Sequence, residues 1–144
     1  MPESLFPVFE VPKTTEEAPY DSRYKKSVKW DVKKGDFVRD GAGRLVECDG
    51  REAYMIWCFK AVQTERYACL AYPSALGVEM EAALEDDDEK TVESMVQRTI
   101  TDALMVNPRT EYVQDFSFSW DGNAMHCTFQ VKGVDWDEPF GITL

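Results

Sequence analysis

The fold is decided by residues 88–132, DEKTVESMVQRTITDALMVNPRTEYVQDFSFSWDGNAMHCTFQVK. The first part of this stretch predicts an amphipathic helix over residues 88–105, because its apolar residues recur at spacings of three and four. Pro108 ends the helix, since the residue before a proline disfavours the α region. The acidic run 85–89 is interpreted as capping the helix N-terminus rather than as a calcium-binding loop.

A β-hairpin follows this helix. Residues 112–120 and 124–132 alternate in character, and Asp121-Gly122-Asn123 between them is a strong turn signal. Strict alternation places Val113 and His126 on the faces turned away from the main apolar residues. The main apolar face is predicted to contain Tyr112, Gln114, Phe116, Phe118 and Trp120 on the first strand and Met125, Cys127, Phe129 and Val131 on the second.

The pattern changes upstream of this stretch. Residues 28–48 predict short strands separated by glycine-containing turns, residues 51–66 a helix, and residues 74–86 a short second helix. The centre of the 51–66 helix is apolar nearly all round, which in so small a chain favours burial in an assembly over burial in its own domain. The candidate interface residues on this helix are Tyr54, Trp57 and Phe59.

Residues 1–27 predict an extended N-terminal arm. Four prolines at positions 2, 7, 12 and 19 each remove a backbone donor and exclude a regular helix or central strand. The arm also carries an apolar cluster, in which Phe6 and Phe9 are candidate interface residues. This cluster either packs on its own domain or docks on a partner, and the sequence leaves both readings open.

The chain is therefore expected to be α+β: a small antiparallel sheet packed on two main helices, with the extended arm in front. The domain itself is assigned to residues 28–135. Residues 136–144 contain Pro139 and Gly141 and are interpreted as a loose C-terminal tail or exchange strand.

Composition argues against several functions. The chain has 27 acidic and 16 basic residues, a net charge of −11, so nucleic acid and anionic membranes are poor partners. Its four cysteines form no CxxC pair and His126 is the one histidine, which argues against a metal site. No phosphate-binding loop or nucleophile elbow is present, so we predict no catalytic residues and no cofactor, and a protein that is not an enzyme.

Three segments, residues 28–80, 103–113 and 116–133, together resemble the tail proteins of defective-prophage, PBSX-type elements. Those proteins are related to the small baseplate wedge, or sheath-initiator, family of contractile tails, which has a so-called lysozyme-like wedge fold. Two motifs carry the likeness. The first is Thr64-Glu65-Arg66 followed by Gly77; the second is Asn107-Pro108-Arg109, which keeps the Pro and Arg of a Glu-Pro-Arg motif and replaces its Glu.

The resemblance implies a structural subunit that links the baseplate wedge to the tail tube and starts sheath assembly. Its implied partners are other wedge proteins, tube or hub proteins and the first sheath ring, with six copies per baseplate in a virion assembled in the bacterial cytoplasm. The alternative is a peptidoglycan-degrading tail hydrolase, which the historical lysozyme label suggests. For Arg109 an intradomain clamp, near the last carbonyls of the helix and a carboxylate such as Glu65 or Glu111, is favoured over a contact between subunits. For Arg66 the two readings stay open.

Strand addition is the expected mechanism of sheath initiation. A sheet edge presents unpaired N–H and C=O groups that an extended segment of another chain can complete. The hairpin 112–133 is long and rich in aromatic residues, so Phe116, Phe118 and Trp120 are candidate interface residues and the tail is expected to take part.

Overall fold

A computed structural model describes residues 26–144, so the predicted arm, with Phe6 and Phe9, lies outside the described residues apart from its last two positions. The α+β class is confirmed. In chain order the elements are β1 (Ser27–Val28), β2 (Trp30–Asp31), β3 (Asp36–Phe37), β4 (Glu47–Cys48), α1 (Gly50–Val62), α2 (Met80–Ala83), α3 (Glu89–Met105), β5 (Thr110–Asp121), β6 (Ala124–Gly133) and β7 (Phe140–Thr143).

Within residues 26–144 the strands form three antiparallel sheets, where the sequence predicted one. β1 pairs with β4, β2 pairs with β3, and β5, β6 and β7 form a three-stranded sheet with β6 in the middle. Each strand of the first two sheets is only two residues long. In the second sheet Trp30 of β2 packs edge-on against Phe37 of β3, with ring centroids 5.0 Å apart. The strands before α1 therefore form two small antiparallel pairs that are separate from the main sheet.

Helix α3 agrees with the sequence prediction. Its Asp88 cap accepts hydrogen bonds from the Thr91 backbone N–H at 2.9 Å and hydroxyl at 2.7 Å, and these bonds hold the pKa of the Asp88 carboxyl below its usual value. The acidic run thus caps the helix, as predicted. One stripe of α3 is buried against α1 and the main sheet: Val92, Val96, Ile100, Ala103 and Leu104.

The side of helix α1 that carries Tyr54 is enclosed by its own domain, which corrects the prediction that an assembly buries Tyr54. Tyr54 is 1% exposed, and its ring stacks on Trp136 with centroids 5.3 Å apart. Its hydroxyl lies 2.7 Å from the Thr110 hydroxyl. The sequence did not reveal that residues near the C-terminus cover this helix, because Trp136 lies far away along the chain. Trp57 and Phe59 are half-buried at the edge of the core.

The β5–β6 hairpin has the predicted turn. Along part of β5, however, the residues that face the core are not the predicted ones. Gln114 pairs with Gln130 and Ser117 with Thr128, so β5 advances three residues while β6 advances two. The extra residue makes a bulge at Asp115, whose φ is +58°. Beyond this bulge Phe116, Phe118 and Trp120 pack on the core, as predicted.

Before the bulge the two faces are exchanged, and the sequence prediction is wrong there. Val113 lies opposite the buried Val131 and packs on the core. Tyr112 lies opposite Lys132, whose ammonium is 5.9 Å from the centroid of the tyrosine ring. A bulge shifts the alternation by one residue, so the side chains from Tyr112 to Gln114 change face, up to a second irregularity between Thr110 and Tyr112.

The C-terminal segment is not a loose tail in the structure. Phe140–Thr143 pairs antiparallel with β6, and Ile142 is buried in the main core. Trp136 packs so tightly on Gly133 that a β-carbon there would lie 2.4 Å from the indole ring. Deleting residues 136–144 would therefore open the core.

Candidate assembly surface

The first motif closes the base of a loop. The Val78 N–H donates to the Thr64 carbonyl at 2.9 Å, and the Arg66 N–H donates to the Val78 carbonyl at 2.7 Å. The Thr64 hydroxyl also donates to the Lys60 carbonyl at 2.7 Å, in the last turn of α1. Together these bonds tie the end of α1 to the segment just before α2.

Glu65 completes this junction. Its carboxylate accepts hydrogen bonds from the backbone N–H groups of Met80 at 3.1 Å and Glu81 at 3.4 Å. These are free donors in the first turn of α2, which an acidic side chain satisfies well. Thr64, Glu65 and Gly77 therefore act as a structural junction, and none of the three needs a ligand to explain it.

The loop that this junction closes, residues 67–76, exposes apolar side chains. Leu70 is fully exposed, Tyr67 is 67% exposed and Tyr72 is 53% exposed. Tyr67 has a φ of +67°, a left-handed conformation that is uncommon for a non-glycine residue. The sequence analysis did not single out this loop.

Arg66 differs from its motif neighbours because its side chain leads into a small cavity. Its Nε is buried and has no hydrogen-bond partner within residues 26–144. The cavity, of about 250 Å³, is also lined by Glu79, Arg98 and Asp102. Arg98 and Asp102 form an exposed pair at 3.8 Å, so the rim carries both signs of charge.

The second motif forms the turn between α3 and β5. The Asn107 side-chain carbonyl accepts from the Arg109 N–H at 3.0 Å, and the Arg109 carbonyl accepts from the Val134 N–H at 2.7 Å. Asn107 thus shapes the turn locally, in the place where the resembling family has Glu. In the part of the chain that the structure describes, Arg109 forms no ion pair.

The two carboxylates suggested as partners of Arg109 are engaged elsewhere. Glu65 accepts from the start of α2, and Glu111 pairs with Lys132. Among residues 26–144 neither carboxylate forms an ion pair with Arg109, and its role as an intradomain clamp stays a prediction.

The candidate aromatic residues of β5 pack against the core and are only partly exposed at the surface. Phe116 stacks on Phe129 and on Phe118, with centroids 5.1 Å and 6.2 Å apart. The Trp120 indole N–H donates to the Glu93 carboxylate of α3 at 2.9 Å. All three candidates are half-buried, and the hairpin face that they form covers the core.

Two apolar grooves lie beside α1. The first, which we term the aromatic groove, has a volume of about 640 Å³. The second, which we term the edge groove, has a volume of about 360 Å³ and runs along β7. Trp30 and Ile56 line both grooves. The edge groove is completed by the apolar residues Val32, Met55 and Phe59, by one acid, Glu52, and by β7.

The edge groove adjoins an open strand edge. Leu144 exchanges both backbone hydrogen bonds with Cys127 of β6, at 2.8 and 3.0 Å. Hydrogen-bonded pairs alternate with non-hydrogen-bonded pairs along an antiparallel ladder. The backbone N–H and C=O groups of Ile142 therefore also point toward β6, while those of Gly141 and Thr143 point away from it. Within the described residues β7 has no second strand partner, so the polar groups of Gly141 and Thr143 face outward beside the groove.

The other edge of the main sheet, along β5, is longer but broken. The bulge at Asp115 interrupts its ladder, and exposed acids at Glu111 and Asp121 stand near its two ends. Bulges and charges are the usual means by which proteins protect an edge from pairing.

Two apolar grooves, an open strand edge and an exposed apolar loop are features of a protein that works through contacts with other chains. The comparisons agree with that class. Residues 26–135 match the family model for the contractile injection system sheath initiator, and the chain belongs to this family of structural tail proteins. No helix within residues 26–144 is long and apolar enough to cross a membrane.

A curated relative supports the same assignment. The chain is 36% identical over 87 residues to the phage-like element PBSX protein XkdS of Bacillus subtilis (strain 168). The match covers 58% of this chain and 60% of the relative, so it spans less than two thirds of that protein's length. The predicted resemblance to PBSX-type tail proteins is confirmed.

Sequence reasoning missed the residues that border the edge groove. Phe140, Ile142 and Leu144 alternate with Gly141 and Thr143, which is a strand signal of period two. Because of Pro139 and Gly141, the segment was instead interpreted as a loose tail. Pro139, however, lies just outside β7, where a proline does not disturb the ladder.

Proposed function

We propose that this protein is a structural baseplate subunit that starts the sheath by accepting a strand from the first sheath ring at the outer edge of β7. The observation that carries this proposal is the outward-facing backbone of Gly141 and Thr143 beside the edge groove. Membership of the sheath-initiator family supports the role, and the open edge supplies a place for it.

The added strand has two sources of affinity. Gly141 and Thr143 offer two N–H and two C=O groups, and each hydrogen bond contributes about 0.5–1.5 kcal/mol net. Alternate side chains of the added strand would enter the edge groove against Met55 and Phe59, where burial is worth about 25 cal/mol per Å². The ladder thus sets register and direction, while the groove selects an apolar strand.

The β7 edge suits this role better than the β5 edge. β5 is three times as long, with 12 residues against 4, but its bulge prevents a continuous ladder. The β5 edge also carries acids, whereas β7 carries no charged residue, and the one acid that lines its groove, Glu52, pairs with Lys29 at 3.1 Å. An incoming apolar strand therefore meets fewer obstacles at β7.

The remaining surfaces are assigned to the rest of the baseplate. We place wedge and tube or hub contacts on the exposed side chains of Tyr67 and Leu70 and at Arg66 and Arg109, with six copies in the baseplate of a virion assembled in the host cytoplasm. In this account the chain binds and positions other proteins and catalyses no reaction. The hydrolase alternative has no specific observation in its favour.

Hydrogen exchange resolved to single amides tests the edge assignment. In the free protein the Gly141 and Thr143 amides should exchange quickly, while those of Ile142 and Leu144 are protected by β6. In baseplates carrying sheath, all four should be protected. If Gly141 and Thr143 stay unprotected there, no strand is added at this edge.

A further inference from the structure

We propose that residues 5–11, Leu-Phe-Pro-Val-Phe-Glu-Val, dock into the aromatic groove of their own chain. These residues lie outside the described part of the chain, and the proposal rests on the groove, on the place where the described chain begins and on the composition of the segment. It is independent of strand addition, which concerns the edge groove.

The aromatic groove has the chemistry of a site for an extended apolar segment. Lys60 is the one charged side chain among the described residues that line it. Its ammonium sits 5.2 Å from the ring centroid of Trp30 and 5.0 Å from that of Phe37. The principal apolar lining residues are Trp30, Phe37, Trp57, Tyr72 and Leu76.

The chain enters the described structure at the groove itself. Ser27, the second described residue, lines the groove and is fixed there by pairing of β1 with β4. Fourteen residues, 12–25, separate the segment from Lys26. A chain of fourteen residues spans at most about 50 Å when fully extended, so the groove is within its reach.

The segment is complementary to the groove. Five of its seven residues are large and apolar, and Pro7 inside it and Pro12 just after it favour extended backbone. Proline-containing extended segments dock well in grooves lined by aromatic rings, because little conformational entropy remains to be lost. Glu10 supplies a carboxylate for Lys60, the single cation of the groove.

A tether makes even weak docking effective. A short flexible linker gives an effective concentration on the order of 1 mM, so a segment with a dissociation constant of about 0.1 mM would be docked roughly nine-tenths of the time. The same segment of another copy, at micromolar concentration, competes poorly. The geometry therefore favours docking within one chain over exchange between copies.

Photocrosslinking of the full chain tests this directly. With benzoylphenylalanine in place of Phe9, irradiation should join that position to Trp57, Lys60 or Tyr72 at the mass of one chain. Mixing isotopically heavy and light protein distinguishes crosslinks within a chain from those between chains. Crosslinks mainly between chains, or mainly to residues outside the aromatic groove, would overturn the proposal.

Hydroxyl-radical footprinting gives a second, independent readout. The double variant Phe6→Asp, Phe9→Asp should raise the oxidation rates of Trp57 and Tyr72 several-fold. A segment that carries these two added charges would not dock in the apolar groove, so both rings would be open to solvent. The matched control Thr14→Asp, Thr15→Asp adds the same charge outside the segment and should leave both rates unchanged. Trp136, which packs on Gly133, reports that the fold is intact. Equal rates in the two variants would contradict the proposal.

Discussion

The carbonyl oxygen of Thr64 lies 2.5 Å from the point where a β-carbon on residue 77 would sit, so Gly77 is the residue that lets these two segments meet. Gly77 also has a φ of +101°, which side-chain-bearing residues rarely adopt. The sequence placed Thr64 and Gly77 in one motif by resemblance alone, and the structure supplies the physical reason for the pairing.

Gly77→Ala should therefore lower the free energy of unfolding by about 3 kcal/mol, through strain and the backbone clash. Urea unfolding followed by tryptophan fluorescence measures this. Gly41→Ala is the matched control: its β-carbon meets nothing within 4 Å, so stability should change by less than about 0.5 kcal/mol. Equal stability of the two variants would show that the motif is not a tight junction.

The second prediction concerns the buried hydroxyl chain at the end of α3. The Thr110 hydroxyl donates to the Leu104 carbonyl at 2.8 Å, so it must accept from the Tyr54 hydroxyl. Thr110→Val leaves the buried Tyr54 hydroxyl without an acceptor, while the Leu104 carbonyl still accepts from the Asn107 N–H at 3.2 Å, so the change should cost about 2 kcal/mol. Tyr54→Phe leaves only one acceptor and should cost about 1 kcal/mol.

The control for this pair is Thr128→Val, at an exposed position of β6. Its hydroxyl contacts only the exposed Thr143 hydroxyl at 3.2 Å, so the change should be within about 0.5 kcal/mol. Thermal or urea unfolding of the three variants gives the order. Finding Tyr54→Phe more damaging than Thr110→Val would contradict the arrangement in which the Tyr54 hydroxyl donates to Thr110.

The third prediction is a pH dependence. Burial raises the pKa of the Cys58 thiol from 9.0 to about 12. Between these values the unfolded chain has lost the thiol proton while the folded chain keeps it, so stability falls as pH rises, by about 1.4 kcal/mol per pH unit. The contribution of the neutral thiol is intact below pH 9.

Cys58→Ala removes that dependence. Under reducing conditions the stability difference between the native protein and this variant should shrink by about 2 kcal/mol between pH 7.5 and pH 10.5. Cys69→Ala is the control, because an exposed side chain meets water in both states and its removal should leave the profile unchanged. A constant difference for Cys58→Ala at both pH values would contradict burial of this thiol as a neutral group.

The sequence predicted elements whose signal is local. Helix α3 was found within one residue at its start because its apolar stripe, its acidic cap and Pro108 all agree. The turn at Gly122 was found for the same reason. Such features depend on neighbours within a few residues, so their pattern can be read directly from the chain.

What the sequence did not reveal depends on distant contacts or on one inserted residue. The bulge at Asp115 has no signature in the alternation, yet it exchanges the faces of Tyr112 and Val113. The burial of Tyr54 requires Trp136, 82 positions further along the chain. The open edge at Thr143 becomes visible only when β7 is seen to pair with β6.

The central claim is that a sheath strand joins the outer edge of β7, and one substitution tests it most directly. Thr143→Pro removes an N–H that points away from β6, so the internal ladder keeps its hydrogen bonds while the edge loses a donor. Thr143→Val is the matched control, since it also removes the hydroxyl and keeps the N–H. Circular dichroism of both variants establishes that each is folded.

The decisive measurement is the fraction of baseplates that start sheath when variant-bearing baseplates with tail tubes are mixed with purified sheath protein and imaged by electron microscopy. We expect Thr143→Pro to reduce the initiation rate about tenfold or more relative to Thr143→Val, since about 1.4 kcal/mol of lost pairing corresponds to a factor of ten. A folded Thr143→Pro variant that initiates sheath at the rate of Thr143→Val would contradict strand addition at β7.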